Sequence, residues 1–226
     1  FVEGSSENTS SSSTVSTDTP DSSNSVGHTV ITLTQTTWFK ILHYSTTTDT
    51  TYGFGHQVRG GGITTLGPEI YSQVRIEDLE TAVKLQDSGT TKIAILKDEK
   101  NNQVSGGTFT AGGWRDRDLT VEEDLLDFVN FTAGGSQSSG SAGNTPGYWS
   151  LPAGTYKIEW AAHAHNVNRH KTRLVYSTTQ SHISTAGLNA SASIVEGSNA
   201  NVLASGSYPL GTNSIGSKII TCLLYT

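Results

Sequence analysis

The chain has no methionine, one cysteine and few charged side chains, and each scarcity removes a class of chemistry. With Cys222 alone, no disulfide can close within the chain and neither a CxxC zinc motif nor a redox pair can form. A lone thiol packs as a small apolar side chain. Charged residues make up only 15%, and the formal net charge is −6. Nucleic-acid affinity comes mostly from basic residues that release counterions, so a nucleic-acid partner is not expected. No apolar run reaches the length of a membrane span, and no basic segment precedes an apolar one as in a secretory leader. A soluble chain with no membrane partner is the expectation. Without methionine Phe1 is not a translation start, which points to a processed product or a window on something longer.

What the chain does have is glycine, 24 in 226 residues, together with abundant Thr, Ser, Val and Ile. That mixture favours strands joined by tight turns over long helices, so the expected class is all-β, at a length that buries a sizeable core. The centre is residues 151–174, LPAGTYKIEWAAHAHNVNRHKTRL. After a Pro-Ala-Gly turn it alternates strictly, with Tyr156, Ile158, Trp160, Ala162 and Ala164 on one face and Lys157, Glu159, Ala161, His163 and His165 on the other. A period of two is the mark of a half-buried strand. A second alternating run sets His170, Thr172, Leu174 and Tyr176 opposite Arg169, Lys171 and Arg173.

Before that centre, residues 5–25 read as a long solvated loop, and strands are expected over residues 28–34 and 36–44. In WFKILHY both faces are apolar, so Trp38, Leu42 and Tyr44 are assigned to an oligomer interface on the outer face. EIYSQVRI, residues 69–76, is a further strand with Ile70, Val74 and Ile76 on one face. Residues 81–91 are expected to form a linker, and KIAILKDEK, residues 92–100, the first strand of a new module. Thr120 with Glu123 fits a helix capping box, with Leu125, Phe128 and Val129 at helical spacing, so residues 120–129 stay open between helix and strand or loop.

Two pairs of segments repeat. Phe1-Val2-Glu3-Gly4-Ser5 matches Ile194-Val195-Glu196-Gly197-Ser198, and Asn24-Ser25-Val26-Gly27 with Ile31-Thr32 matches Asn213-Ser214-Ile215-Gly216 with Ile220-Thr221. Kept order and nearly equal offsets give a period of about 190 residues. AGTYKIEW, NRHKTRL and GGTFTAGGWRDRDL (residues 106–119) resemble the C1q/TNF-like jelly-roll modules of phage tail fibres and related extracellular fibre proteins. The resemblance implies a jelly-roll β-sandwich in tandem modules. Residues 1–80 would be the trailing half of one module and 92–226 the leading part of the next, each completed by a neighbouring module or by strand donation from another copy. It also implies a homo-oligomer, trimer or head-to-tail filament, at an extracellular or virion surface, working as a structural and adhesive fibre protein.

His163 and His165, at i and i+2 on one face, are candidate metal ligands, as His-x-His pairs are in some phage fibre tips, although the resembling modules usually carry other residues there. No cofactor is expected. The carboxylates between Asp116 and Asp127 match no EF-hand spacing, and neither a G-x-S-x-G elbow nor a P-loop occurs, so no enzyme is expected. Asn8, Asn130 and Asn189 lie in N-x-S/T sequons and are candidate glycosylation sites. The alternative function is a carbohydrate-binding module in which Tyr52 and Trp114 stack on sugar rings.

Overall fold

The computed structural model of the chain describes residues 22–55, 67–79, 92–102, 104–134, 147–165, 167 and 169–201. In chain order its strands are β1 (Ser22–Leu33), β2 (Thr37–Ser45), β3 (Glu69–Asp78), β4 (Ile93–Lys100), β5 (Trp114–Asp116), β6 (Val121–Asp124), β7 (Asn130–Thr132), β8 (Tyr148–Leu151), β9 (Gly154–His165), β10 (Arg169–Ser177) and β11 (Ser193–Asn201), with one 3-10 turn at Gln180–His182. Among the described residues these form two sheets, ordered β1-β9-β3-β4-β6 and β11-β10-β2-β8-β7, with β5 also pairing β2. Every pairing is antiparallel. The all-β expectation holds at the level of a two-sheet antiparallel sandwich.

β9 shows how the sequence dictates this arrangement. All five residues of its expected apolar face are buried, while Lys157, Glu159, Ala161, His163 and His165 are half-buried on the other. Its inward side chains meet Phe39 and Ile41 of β2, Val74 and Ile76 of β3 and Leu174 of β10 in one core. Each fully buried Ile, Leu or Phe in such a core contributes about 1.5–3 kcal/mol relative to exposure. Phe39 stacks on Trp149 and on Tyr176, both at 5.7 Å between ring centres. At the far end β9 carries only Ala164 inward, and Phe54, Phe109 and Val167 fill the space in a smaller cluster.

The division into residues 1–80 and 92–226 as parts of different modules is corrected by this topology. β9, from the second segment, lies between β1 and β3 of the first, and β2 lies between β10 and β8. An alternating strand offers two hydrogen-bonding edges, and here both edges of β9 are satisfied from the same chain. Among the described residues, strands of both segments contribute to both sheets. Residues 80–91, which include the expected linker, lie outside the described residues.

Two local expectations change for identifiable reasons. A bulge between Ile70 and Ser72 shifts the β3 register, leaving Ile70 49% exposed while Tyr71 turns inward. Over residues 120–129 the open choice resolves as strand and turn. Thr120 Oγ1 accepts the Glu99 amide at 3.0 Å and donates to the Glu99 carbonyl at 3.1 Å, which holds it against β4 and away from a capping role. The Asp124 carboxylate accepts the amides of Phe128 and Val129, both at 2.7 Å, and folds the segment back. Asp127, at φ 50°, takes the left-handed conformation that this turn requires.

Candidate assembly seam

β1 and β11 are edge strands of opposite sheets, and they run side by side along one flank of the sandwich. Ser25, read from the sequence as part of a solvated loop, is fully buried at their junction. Its hydroxyl lies 2.8 Å from Thr172 Oγ1, donates to the Ser198 carbonyl at 2.6 Å and accepts the Thr172 amide at 2.9 Å. The Val26 amide donates to Ser198 Oγ at 3.0 Å, and the Trp160 indole N–H donates to Thr172 Oγ1 at 3.0 Å. Polar groups hidden between sheets are tolerated when paired in this way, and such pairing fixes register.

Two glycines make the approach feasible. A Cβ on Gly27 would fall 2.1 Å from the Trp160 ring, and one on Gly197 would fall 2.4 Å from Thr172 Oγ1. Glu196, beside Gly197, accepts from Lys171 at 2.8 Å and from Arg173 at 2.7 Å. On the outer surface Asn24 Oδ1 lies 3.1 Å from His163 Nδ1. The seam is thus specified by Asn24, Ser25 and Gly27 on one strand and Glu196, Gly197 and Ser198 on the other, and all six residues recur in the second copy of the sequence repeat.

The outer face of β2 is largely covered by the chain itself. Leu42 is fully buried against Val175 and Ile183, with Trp38, Trp114, Tyr148 and Ala192 packed around them. Lys40, on the same face, is also fully buried. It pairs with Asp116 at 2.9 Å and donates to the carbonyls of Thr185 and Gly187 at 2.7 and 2.6 Å. Burial pushes the Lys40 pKa down against the pull of Asp116, and burial raises that of Asp116 against the pull of Lys40. The oligomer interface assigned to Trp38, Leu42 and Tyr44 is corrected for Leu42, which has no surface left to offer. Trp38 and Tyr44 are half-buried.

Trp114 sits between neighbours of its own chain, with the Arg173 guanidinium 3.9 Å above its ring and Tyr44 at 5.5 Å. The stacking surface expected to receive a sugar therefore already carries a cation. Tyr52 is half-buried and meets the His165 ring edge-on at 6.0 Å. His163 and His165 share the outer face of β9 as the alternation requires, and no group of three His, Cys, Asp or Glu able to hold a metal occurs among the described residues. Asn130 is exposed at the start of β7, and Asn189 is half-buried with its Oδ1 accepting the Ser191 amide at 2.9 Å. Asn8 lies outside the described residues.

Sequence reasoning missed a buried polar cluster at the far end of the sandwich. His43 Nε2 and His170 Nδ1 are 2.8 Å apart, and both residues are buried. Burial, then the neighbouring His170 and Arg117, hold the His43 pKa well below 6.5, and burial with His163 and Arg117 pushes that of His170 down to about 3. Arg117, also buried, donates to the Tyr71 carbonyl at 2.9 Å, pairs with Asp98 at 3.3 Å and lies 4.5 Å over the Phe54 ring. Burial, with Asp98 nearby, raises the Asp118 carboxyl to about 7. Alternation in β10 already turned His170 inward; nothing in the sequence paired it with His43, 127 positions away.

No protein-family profile, no curated protein and no solved structure matches this chain. Fold and seam define its class by themselves, as a two-sheet antiparallel β-sandwich closed along one flank by a pair of edge strands. Among the described residues no helix is long and apolar enough to cross a membrane.

Proposed function

We propose that this protein is a structural and adhesive fibre subunit, built on a jelly-roll module like those of phage tail fibres and related extracellular fibres, and that copies of it self-assemble at an extracellular or virion surface. One observation carries the reading: short segments of both strands that close the seam, β1 and β11, recur elsewhere in the chain at a period of about 190 residues, as in an array of like modules. Edge strands are the parts of a sandwich most readily paired with another chain. The aromatic surface left on Trp38 and Tyr44 supports lateral contact.

Negative-stain electron microscopy of the full chain, together with sedimentation analysis over a range of concentrations, tests this. Filaments or discrete oligomers are expected; a monomer at every concentration refutes it. The carbohydrate-binding alternative takes second place because Arg173 occupies one side of Trp114. Binding on a glycan array that disappears in Tyr52→Ala would reverse that order.

A further inference from the structure

We propose that Lys40 and Asp116 condense into a side-chain amide bond once the chain has folded, with no enzyme or cofactor, so that β2 and β5 become covalently linked. The inference stands apart from the self-assembly reading and concerns a single copy of the chain.

The two groups come from paired strands. Asp116 is the register partner of Leu42, and Lys40 lies two residues along β2, on the outer face that Trp114 and Ile183 help to cover. The Lys40 side chain is fully buried and that of Asp116 is 9% exposed, with Nζ and Oδ1 2.9 Å apart. An amine and a carboxyl held this way react as parts of one molecule, and well-oriented pairs reach effective molarities of about 10⁵–10⁸ M.

Lys40 is presented as the nucleophile. Its Nζ donates to the carbonyls of Thr185 and Gly187, at 2.7 and 2.6 Å, while Asp116 Oδ1 receives no hydrogen bond. A neutral amine has two N–H bonds, so with both engaged by carbonyls its lone pair is left to face the carboxyl. Burial favours this neutral form on both sides, lowering the pKa of the amine and raising that of the acid. A proton passed from Nζ to Oδ1 removes two charges from the interior at once.

Asp116 is presented as the electrophile. The Gly187 amide donates to its Oδ2 at 2.7 Å, where negative charge gathers as Nζ attacks Cγ. Gly187 serves both partners, its amide on Asp116 and its carbonyl on Lys40, and it does so at a left-handed φ of 76° that glycine adopts without strain. The step balances. After the first proton transfer the Nζ–Cγ bond forms, a second proton passes from Nζ to Oδ1, the Cγ–Oδ1 bond breaks and Oδ1 departs as water. The ion pair and the amide are both neutral overall, and nothing is oxidised or reduced.

The test is the mass of the denatured full chain, made in a bacterial host, together with its tryptic map. The expected mass is one water below that of the sequence. Trypsin, which needs a free lysine, is expected to leave the bond after Lys40 intact and to release a branched peptide containing both Lys40 and Asp116. Lys40→Arg and Asp116→Ala, each lacking one reactant, are expected at the full mass of their sequences. A wild-type chain at full mass that is cleaved after Lys40 overturns the proposal, as does a water loss that persists in either variant or maps to other residues. The branched peptide is sought in the wild-type chain, so the outcome is decided even where a variant fails to fold.

Discussion

Acid should loosen this protein through His43 and His170, and Asp118 should mask much of the effect. Both imidazoles are neutral in the fold, whereas in the unfolded chain they titrate near 6.5. The unfolded state then binds more protons below pH 6.5, so stability is complete above that value and is lost as the pH falls. Each neutral imidazole costs about 1.4 kcal/mol per pH unit in that window, or about 4 kcal/mol for the pair between pH 6.5 and 5. Asp118 has the opposite sign. Its carboxyl titrates at about 7 in the fold and near 3.8 unfolded. The folded state therefore gains a proton across the same window, and stability rises by about 2 kcal/mol between pH 7 and 5.

The wild-type chain should thus lose only about 2 kcal/mol between pH 7 and 5, while Asp118→Asn, with no carboxyl to protonate, should lose about 4 kcal/mol. Urea unfolding followed by tryptophan fluorescence at the two pH values measures both. An Asp118→Asn variant whose stability is flat or rising as the pH falls would refute the reasoning, because the buried imidazoles would then not be held neutral.

Gly27→Ala places a methyl group against the Trp160 ring and should cost about 1–3 kcal/mol in urea unfolding, with a near-neutral result showing that the seam opens to relieve the contact. Asp116→Asn strips the buried Lys40 ammonium of its charge partner and should cost about 3–5 kcal/mol; Lys40→Met with Asp116→Asn should recover part of that loss, as thermal unfolding would show. Trp114→Ala should cost about 1 kcal/mol from the lost Arg173 stack and more from uncovering Leu42, measured by the same unfolding assay. Retention of full stability would mean that the cover over β2 is not held by that ring.

Much of the architecture was written in alternation. The inward faces of β9 and β10 follow directly from period-two spacing, because a pleated strand sends successive side chains to opposite sides whatever lies above it. The bulge at Ile70 was not legible, since one inserted residue leaves composition untouched while reversing a face. Ser25 looked solvated because serine carries no apolar surface, and its burial depends on Thr172 and Ser198, both more than a hundred positions away. The outer face of β2 was correctly read as apolar but assigned to a foreign partner. A sequence shows that a face needs cover, not that residues 178–192 supply it.

The sequence by itself determined an all-β chain, the two faces of its central strands and a repeat that duplicates two short segments, because periodicity and self-similarity are local properties of the string. Tertiary structure alone decided that those segments are neighbours on one seam, that residues 22–78 and 93–201 share both sheets, and that two buried histidines meet. Each of those facts depends on contacts between positions far apart in the chain, which only the closing of one sheet over the other selects.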